Sequence, residues 1–287
     1  MNYYHVDVFS EKPLSGNGLS VVFVENNMSE RFLLKIAQEF KQFETAFVYQ
    51  KTEGIYPVRI FTVQEELPFA GHPVLGTAAV IHKVFEKNNF SADIKMNLGK
   101  RTVFVKSKIE GPCFSVEMNQ GTPEFINTIS QNDINEIADC FNLSKNDIST
   151  EYPIEVVSTG LPYLLLPVET NLEKAKIMQS GLEDLISDYK AKFVYLFNPA
   201  TLECRTWDNT GIYEDIATGS AAGPLIAYLV KNGYFQKGEN ITLTQGKHLK
   251  RESRLTGRVT DTKEAEVIIE GMVAFFSEGK ITMKDFS

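Results

Sequence analysis

A glutamate within an apolar segment is the first residue of this sequence that could do chemistry. Glu44 belongs to the predicted strand 43–48 and, if side chains alternate along it, shares a face with Ala46 and Val48. Burial on such a face disfavours the charged carboxylate and would suit Glu44 to proton transfer. From this local context alone, however, a glutamate at a strand end that reaches solvent is the commoner arrangement.

Two short motifs rich in small residues each precede a largely apolar helix. They are Gly71-His72-Pro73 and Ala217-Thr218-Gly219-Ser220. The first N–H groups of a helix have no partner within it and carry partial positive charge, and small residues let a ligand approach them closely. Either motif alone could be a turn and a cap, whereas two at corresponding places favour a bound anion. Gly71, Thr218, Gly219 and Ser220 are therefore the predicted ligand-binding residues.

Two further residues beside these motifs could take part in acid–base chemistry. Asp215 follows Glu214 shortly before the second motif, where it could also serve only to complement the helix dipole. His72 could donate a hydrogen bond or shuttle protons, although isolated histidines are usually structural. The four histidines are scattered along the chain, so no metal site is predicted; they are His5, His72, His82 and His248.

Other common chemistries lack their motifs. The sequence has no GxGxxG after a strand, no GxxxxGK[ST] and no GxSxG, so no Rossmann, P-loop or α/β-hydrolase site is predicted. The three cysteines, Cys113, Cys140 and Cys204, lie far apart, which predicts neither a disulfide framework nor a zinc site. Cys204 is expected in the core rather than as a nucleophile.

Helices and strands alternate around these residues. A helix capped by Ser29 is predicted from the apolar spacing of residues 32–40, and the helix 74–85 is apolar on most faces, as expected of a helix surrounded by protein. Two more helices are predicted at 172–186 and 224–230. The predicted strands are 4–9, 19–24, 43–48, 58–62, 156–168 with an embedded Thr-Gly-Leu-Pro, 192–197 and 205–207, followed from Ile241 onward by short strands that Gly246, Gly257, Gly271 and Gly279 separate.

The order of these elements repeats, which predicts two related domains. Arg59-Ile60-Phe61 lies 146 positions before Arg205-Thr206-Trp207, and Gly76-Thr77-Ala78-Ala79 lies 143 positions before Gly219-Ser220-Ala221-Ala222. The Ser/Asn-rich stretch 127–135 is the predicted junction. The expected domains are 1–126 and 127–275, and 276–287 is expected to be a last strand that returns to the N-terminal domain.

Length and composition agree with two domains and exclude several classes of partner. The chain has 287 residues, 43% of them hydrophobic and 23% charged, which is typical of a globular protein. Its net charge of −8 disfavours nucleic acid and anionic membrane as partners. The sequence has no run of about 18 apolar residues, so no membrane-spanning helix is predicted. The start of the sequence lacks the pattern of a signal peptide, so a cytoplasmic location is expected.

Taken together, several of these stretches resemble the PhzF family of isomerases, named for phenazine biosynthesis. The resemblance covers most of the chain in the family's order. Three residues depart from the usual pattern: Ile216 stands where proline is common, Gly18 where Gly-Asn-Pro is common, and Phe43 where a small hydroxyl residue is frequent. Phe43 and Ile216 are expected to reshape the ligand pocket. The matching stretches are Val6-Asp7-Val8-Phe9 with Gly16-Asn17, Glu44-Thr45-Ala46-Phe47-Val48, Arg59-Ile60-Phe61-Thr62, Glu66-Leu67-Pro68-Phe69-Ala70-Gly71-His72-Pro73, Leu75-Gly76-Thr77-Ala78, and Glu214-Asp215 with 217–225.

The resemblance implies an α+β fold similar to diaminopimelate epimerase, with two pseudo-symmetric β-rolls, each wrapped around a central helix, and the site between them. It implies no cofactor, a small carboxylate substrate and a homodimer. The family's catalytic glutamate falls on Glu44, its supporting histidine on His72, and its aspartate and serine on Asp215 and Ser220. The Gly71-His72 and Gly219-Ser220 amides would hold the substrate carboxylate.

Three functions remain open from the sequence. The first is an isomerase in which Glu44 removes a proton and returns it elsewhere on the same face of the ligand. The second is an epimerase acting at one carbon with Glu44 and Asp215 as opposed groups. The third is a binder that kept the fold and the anion site without turnover.

Overall fold

The chain divides into two compact units. A computed structural model describes residues 1–25, 28–178 and 181–282. Of the described residues, the first unit contains Met1–Asn119 and 270–282, and the second contains those between Gln120 and Ile269. The expected junction 127–135 overlaps the strand Glu124–Thr128 and the helix Ile134–Cys140, and residues 283–287 of the expected last strand lie outside the described residues.

The first unit holds two helices of different character. In α1 (Glu30–Phe40) only one face is buried, and Leu33, Ile36 and Ala37 pack with Val22 and Phe47. In α2 (Gly71–Phe85) every residue from 71 to 82 is buried. The strands are β1 (Asn2–Val8), β2 (Asn17–Phe23), β3 (Glu44–Val48), β4 (Tyr56–Phe61), β5 (Glu66–Leu67), β6 (Ser91–Asn97), β7 (Thr102–Glu110), β8 (Cys113–Gly121) and β16 (Val267–Lys280), of which β8 and β16 cross the unit boundary.

These strands form a closed ring around α2. Their order is β1-β2-β3-β4-β6-β7-β8-β16, and β16 also pairs with β1. The β2–β3 and β4–β6 pairs are parallel, because α1 and α2 connect them, whereas β1–β2, β3–β4, β6–β7 and β7–β8 are antiparallel. Since α2 contacts β1, β2, β3, β6 and β7, it is surrounded by strands, as its apolar sequence predicts.

The second unit repeats this pattern of strand directions. The β10–β11, β12–β13 and β14–β15 pairs are antiparallel, and the β11–β12 and β13–β14 pairs are parallel. The same alternation in both units supports a duplication. Its elements are β9 (Glu124–Thr128), α3 (Ile134–Cys140), β10 (Glu155–Ser158), β11 (Pro162–Pro167), α4 (Leu182–Asp188), β12 (Phe193–Phe197), β13 (Glu203–Arg205), α5 (Gly219–Lys231), β14 (Ile241–Gln245) and β15 (Ser253–Val259).

Two predictions about elements are wrong, each for a tertiary reason. Residues 172–186 are not one helix: a 3-10 turn at Leu172–Lys174 ends at Ala175, and α4 begins at Leu182, with 179 and 180 outside the described residues. The Leu172 carbonyl accepts from the Ala175 N–H, and the Arg205 guanidinium also donates to the Leu172 and Ala175 carbonyls. Gly257, Gly271 and Gly279 do not separate strands but lie within them; at Gly271 a Cβ atom would overlap the ring of Phe9.

Candidate active site

Glu44 is the first residue of β3. Its side chain is 17% exposed, and its strand pairs in parallel with β2 through Leu19. In this strand Glu44 lies on the same face as Ala46 and Val48, and Thr45 and Phe47 on the opposite face are as buried as Ala46. Both faces of β3 are covered, one by α1 and the other by α2. The carboxylate is therefore held at a strand end beside the buried helix.

His72, the second residue of α2, faces this carboxylate. Its Nε2 lies 3.2 Å from Glu44 Oε2, although the contact lacks the alignment of a hydrogen bond. Burial lowers the pKa of His72 to about 3, with the Gly18 backbone opposing the shift in part. The imidazole is therefore neutral at pH 7, and its contact with Glu44 is a dipolar one rather than an ion pair.

Asn17 contacts the other nitrogen of this imidazole. Its Nδ2 lies 3.3 Å from His72 Nδ1. Asn17, His72 and Glu44 thus form a series of polar side chains from β2 through α2 to β3.

The turn between β1 and β2 places Asn17. The Leu14 N–H donates a 2.7 Å hydrogen bond to the buried carboxylate of Asp7. Gly16 has φ of +71°, and a Cβ atom there would overlap the Val8 carbonyl, so only glycine fits. Asn17 is not among the site residues predicted from the sequence, although its place in the Gly16-Asn17 motif was the available signal.

The start of α2 offers two N–H groups to a ligand. Its N-cap residue, Ala70, has no capping side chain, Pro73 has no N–H, and the Val74 N–H already donates to the Ala70 carbonyl. Within the described chain, neither the Gly71 nor the His72 N–H donates to a protein acceptor. The predicted anion-binding atoms at Gly71 and His72 are therefore not used by the protein itself.

The start of α5 has the same two positions available. The N–H groups of Ala221 and Ala222 both donate to the Thr218 carbonyl, at 3.0 and 3.1 Å. Among the residues with described placement, no acceptor pairs with the N–H of Gly219 or Ser220. The first two N–H groups of a helix are thus open in both units, at the positions where its dipole attracts negative charge.

Asp215 and Thr218 are held by a buried glutamine. Thr218 Oγ1 donates to Asp215 Oδ2, and Gln245 Nε2 donates to Thr218 Oγ1 at 3.0 Å and to the Asp215 carbonyl at 2.9 Å. Gln245 Oε1 accepts from the Thr218 N–H and from Tyr195. Sequence reasoning missed Gln245, since nothing in the local pattern of β14 distinguishes it.

Ser220 is oriented by a tyrosine. Its Oγ lies 2.8 Å from the hydroxyl of Tyr163 on β11. Burial raises the pKa of Tyr163 further above its usual range, so the phenol remains protonated. Within the second unit the structure therefore brings Asp215, Thr218 and Ser220 together at the start of α5, as it brings Glu44 and His72 together in the first.

The remaining candidates from the sequence have structural partners. His82 contacts Ser107 Oγ and the Asn89 carbonyl, and His5 contacts Ser20. Cys204 is buried, as predicted, and burial raises its pKa to about 12.

No group of three or more His, Cys, Asp or Glu side chains that could hold a metal occurs in the described part of the chain. None of the helices in the described ranges has the length and hydropathy to cross a membrane.

Solved structures define the class of this fold. The protein aligns with a hydroxyproline epimerase from Agrobacterium vitis with a TM-score of 0.63 and 11% identity, over 98% of this chain and 90% of that one. It aligns with a PhzF-family protein from Bacillus anthracis with a TM-score of 0.83 and 21% identity, over 99% of both chains. The fold is therefore α+β, of the diaminopimelate epimerase-like class.

The sequence identifies the family within that class. The family of phenazine biosynthesis-like proteins, PhzC-PhzF, matches residues 6–279, and the chain belongs to this family. A trans-2,3-dihydro-3-hydroxyanthranilate isomerase from Pseudomonas chlororaphis is 28% identical over 98% of this chain and 99% of its own length. A Pseudomonas aeruginosa structure described as a predicted epimerase is 39% identical, with a TM-score of 0.91 and 99% of both chains covered. The protein is thus an enzyme of an isomerase family.

Proposed function

We propose that the protein isomerises a small carboxylate-bearing metabolite without a cofactor, with Glu44 as the group that moves the proton. The observation that carries this proposal is the contact between Glu44 and a buried, neutral His72 whose own backbone N–H is open at a helix start. A neutral imidazole orients the carboxylate without neutralising its charge. Glu44 can therefore act as a general base toward a C–H bond.

In the proposed reaction a proton moves and no other atom is exchanged. The Glu44 carboxylate takes a proton from a carbon conjugated with the substrate carboxylate or enamine. The C–H electron pair enters the conjugated system, and negative charge develops on the substrate carboxylate, where helix-start N–H groups would stabilise it. Protonated Glu44 then returns the proton to a different carbon on the same face. Asp215 and His72 orient the substrate and assist proton transfer.

The N–H groups of Gly71, Gly219 and Ser220, together with Thr218, are the proposed substrate-binding groups. Their arrangement suits an anion, because each helix start combines open N–H groups with a partial positive charge. The name of the Pseudomonas relatives supports a cyclic amino- and hydroxy-substituted carboxylate as the substrate class. Phe43, exposed beside Glu44, would contact the ring of such a substrate.

The test is turnover in heavy water. The purified enzyme is incubated with trans-2,3-dihydro-3-hydroxyanthranilate and with a panel of small amino and hydroxy carboxylates, and products are analysed by proton NMR and mass. We expect a product of unchanged connectivity in which a hydrogen has moved to a new carbon, with deuterium at that carbon in the proportion in which protonated Glu44 exchanges with solvent before it returns the proton. Failure of every member of the panel to exchange or rearrange would contradict the proposed isomerase.

Glu44→Gln is the decisive variant, because it keeps the shape of the side chain and removes the base. We expect turnover to fall at least about a thousandfold, in the upper part of the range for general-base catalysis. Glu110→Gln is the control: Glu110 lies in the same unit, on the surface at the end of β7, where it pairs with Lys108. Normal turnover by Glu44→Gln would show that another group is the base.

Epimerisation at one carbon is the second candidate. It is favoured by the 39% identical solved protein described as a predicted epimerase. It requires acid–base groups on both faces of the carbon, and Glu44 and Asp215 would serve. Deuterium at the original carbon with inverted configuration would establish it, whereas deuterium at a new carbon with configuration retained elsewhere excludes it. A pure binder would instead keep its ligand affinity in Glu44→Gln and show no turnover at all.

Homodimer formation in the cytoplasm belongs to the same proposal. Light scattering after size-exclusion chromatography is expected to give twice the chain mass of 32.3 kDa. A mass of one chain at micromolar concentration would contradict the dimer.

A further inference from the structure

Both units contain the same bidentate contact between an arginine and a glutamate. Arg59 on β4 donates from Nε and Nη2 to the two oxygens of Glu66, at 2.7 and 2.5 Å. Arg205 on β13 donates from the same two nitrogens to the two oxygens of Glu214, at 2.8 and 2.7 Å. We call these pairs the first and the second clamp.

The clamps also share their aromatic neighbours. The guanidinium carbon of Arg59 lies 5.1 Å from the ring centre of Phe61, and that of Arg205 lies 4.6 Å from the ring centre of Trp207. In each unit the aromatic residue comes two positions after the arginine and pairs in antiparallel register with the clamp glutamate. The guanidinium is thus fixed by a fork of hydrogen bonds in its plane and by a ring against its face.

Each clamp glutamate stands at the same distance before a helix. Glu66 is five positions before Gly71, the first residue of α2, and Glu214 is five positions before Gly219, the first residue of α5. Only four residues separate each clamp from the helix it precedes. Because such a short segment is fixed at both ends, a displacement of the glutamate is transmitted to the first N–H groups of the helix.

We propose that the two clamps are positioning devices for the proposed carboxylate site, each setting where the helix-start N–H groups point. The inference rests on the proposed function, since those N–H groups are its substrate-binding groups. A bidentate pair fixes orientation as well as distance, which a lysine in place of the arginine would not do. The clamp residues are not catalytic residues, because they act through the helix starts.

The two clamps differ in burial, which decides where the test is made. The Arg59 and Glu66 side chains are 27% and 32% exposed, whereas those of Arg205 and Glu214 are 7% and 11% exposed. Arg205 Nη1 also donates to three carbonyls, those of Leu172, Glu173 and Ala175. Substitutions in the second clamp are therefore expected to destabilise the folded protein, so the variants are made in the first clamp.

The experiment compares Arg59→Lys and Glu66→Gln with the unaltered protein, using benzoate as the carboxylate probe. The amide ¹H–¹⁵N signals of Gly71 and Gly219 are followed without ligand and during a benzoate titration. We expect both variants to move the Gly71 signal before any ligand is added and to leave Gly219 in place. We expect the benzoate Kd to rise on the order of tenfold, the loss that a displaced helix-start site would produce.

Arg254→Lys is the matched control, because it makes the same replacement in a loosely paired arginine. Arg254 lies 3.8 Å from Glu252, and its side chain is 70% exposed. It should leave the Gly71 signal and the benzoate Kd unchanged. Urea unfolding midpoints are measured in parallel, and a merely structural clamp would lower the midpoint without moving Gly71 in the folded protein.

The outcomes separate this inference from the proposed function. A folded Arg59→Lys or Glu66→Gln protein with an unmoved Gly71 signal and a Kd within twofold of the unaltered protein would overturn the clamp. If the unaltered protein binds no benzoate, the carboxylate site of the proposed function is contradicted, and the Gly71 signals of the unliganded variants still decide whether the clamp positions the helix start. If Arg59→Lys does not fold, Glu66→Gln alone supplies both readouts.

Discussion

Removing the buried imidazole of His72 should change how the stability of the protein depends on pH. The folded protein holds His72 neutral, with a pKa of about 3, whereas the unfolded chain titrates near the ordinary value of 6.5. Between pH 6.5 and about 3, His72 is therefore protonated in the unfolded chain and neutral in the folded protein. Stability falls as pH decreases from 6.5 toward 3, and His72 is the cause of that part of the fall.

The size of the effect follows from the two pKa values. Each unit between them corresponds to about 1.4 kcal/mol, so the full window from 6.5 to about 3 amounts to roughly 4 to 5 kcal/mol. Between pH 7 and pH 5 the unfolded chain gains about 0.7 proton at this site, and the free energy of unfolding falls by about 2 kcal/mol. The side chain is only 8% exposed, so solvent screening reduces this figure little.

His72→Gln removes the titrating group and keeps a polar side chain of similar length. The free energy of unfolding is measured with urea at pH 7, 6 and 5 for the unaltered protein and the variant. We expect the difference between them to shift by about 2 kcal/mol in favour of the variant between pH 7 and pH 5. Thr77→Val is the control, because it alters another fully buried polar residue of α2 that does not titrate. Parallel curves for His72→Gln and the unaltered protein would refute the reasoning.

Three other substitutions test contacts around the proposed site, each by urea unfolding at pH 7. Tyr163→Phe should cost about 1 kcal/mol, because only its hydrogen bond to Ser220 is lost, and an unchanged midpoint would contradict this contact. Gln245→Ala should cost about 2 to 4 kcal/mol, because it leaves several buried hydrogen-bonding groups unsatisfied; a loss below about 1 kcal/mol would count against the network. Gly271→Ala should cost about 1 to 3 kcal/mol through overlap with Phe9, and a neutral result would show that the ring can move away.

The two central helices were predictable because their sequences have no polar face. A helix with apolar residues on most sides must be covered all round, and both α2 and α5 are buried along most of their length. Strands with β-branched and aromatic runs were found for the same local reason. Glu44 and His72 could be singled out because each is a titratable residue among apolar neighbours: Glu44 lies in an apolar strand, and His72 lies at the start of an apolar helix.

What the sequence could not give is the set of partners that lie far apart in the chain. Asn17 lies 55 positions from His72, and Gln245 lies 27 positions from Thr218, so no periodicity relates them. The prediction of a helix over 172–186 was wrong for the same reason, because the 3-10 turn at 172–174 has distant partners. The carbonyls of Leu172 and Glu173 accept hydrogen bonds from Arg205, which lies more than thirty positions later in the chain.

The neutrality of His72 is what makes its contact with Glu44 useful to a base. A cationic imidazole at 3.2 Å would stabilise the charged carboxylate and so weaken it as a base. Two features of the fold oppose that charge: the ring is buried, and it stands at the positive end of α2. The same helix start that would attract a substrate carboxylate therefore also keeps its neighbouring histidine uncharged.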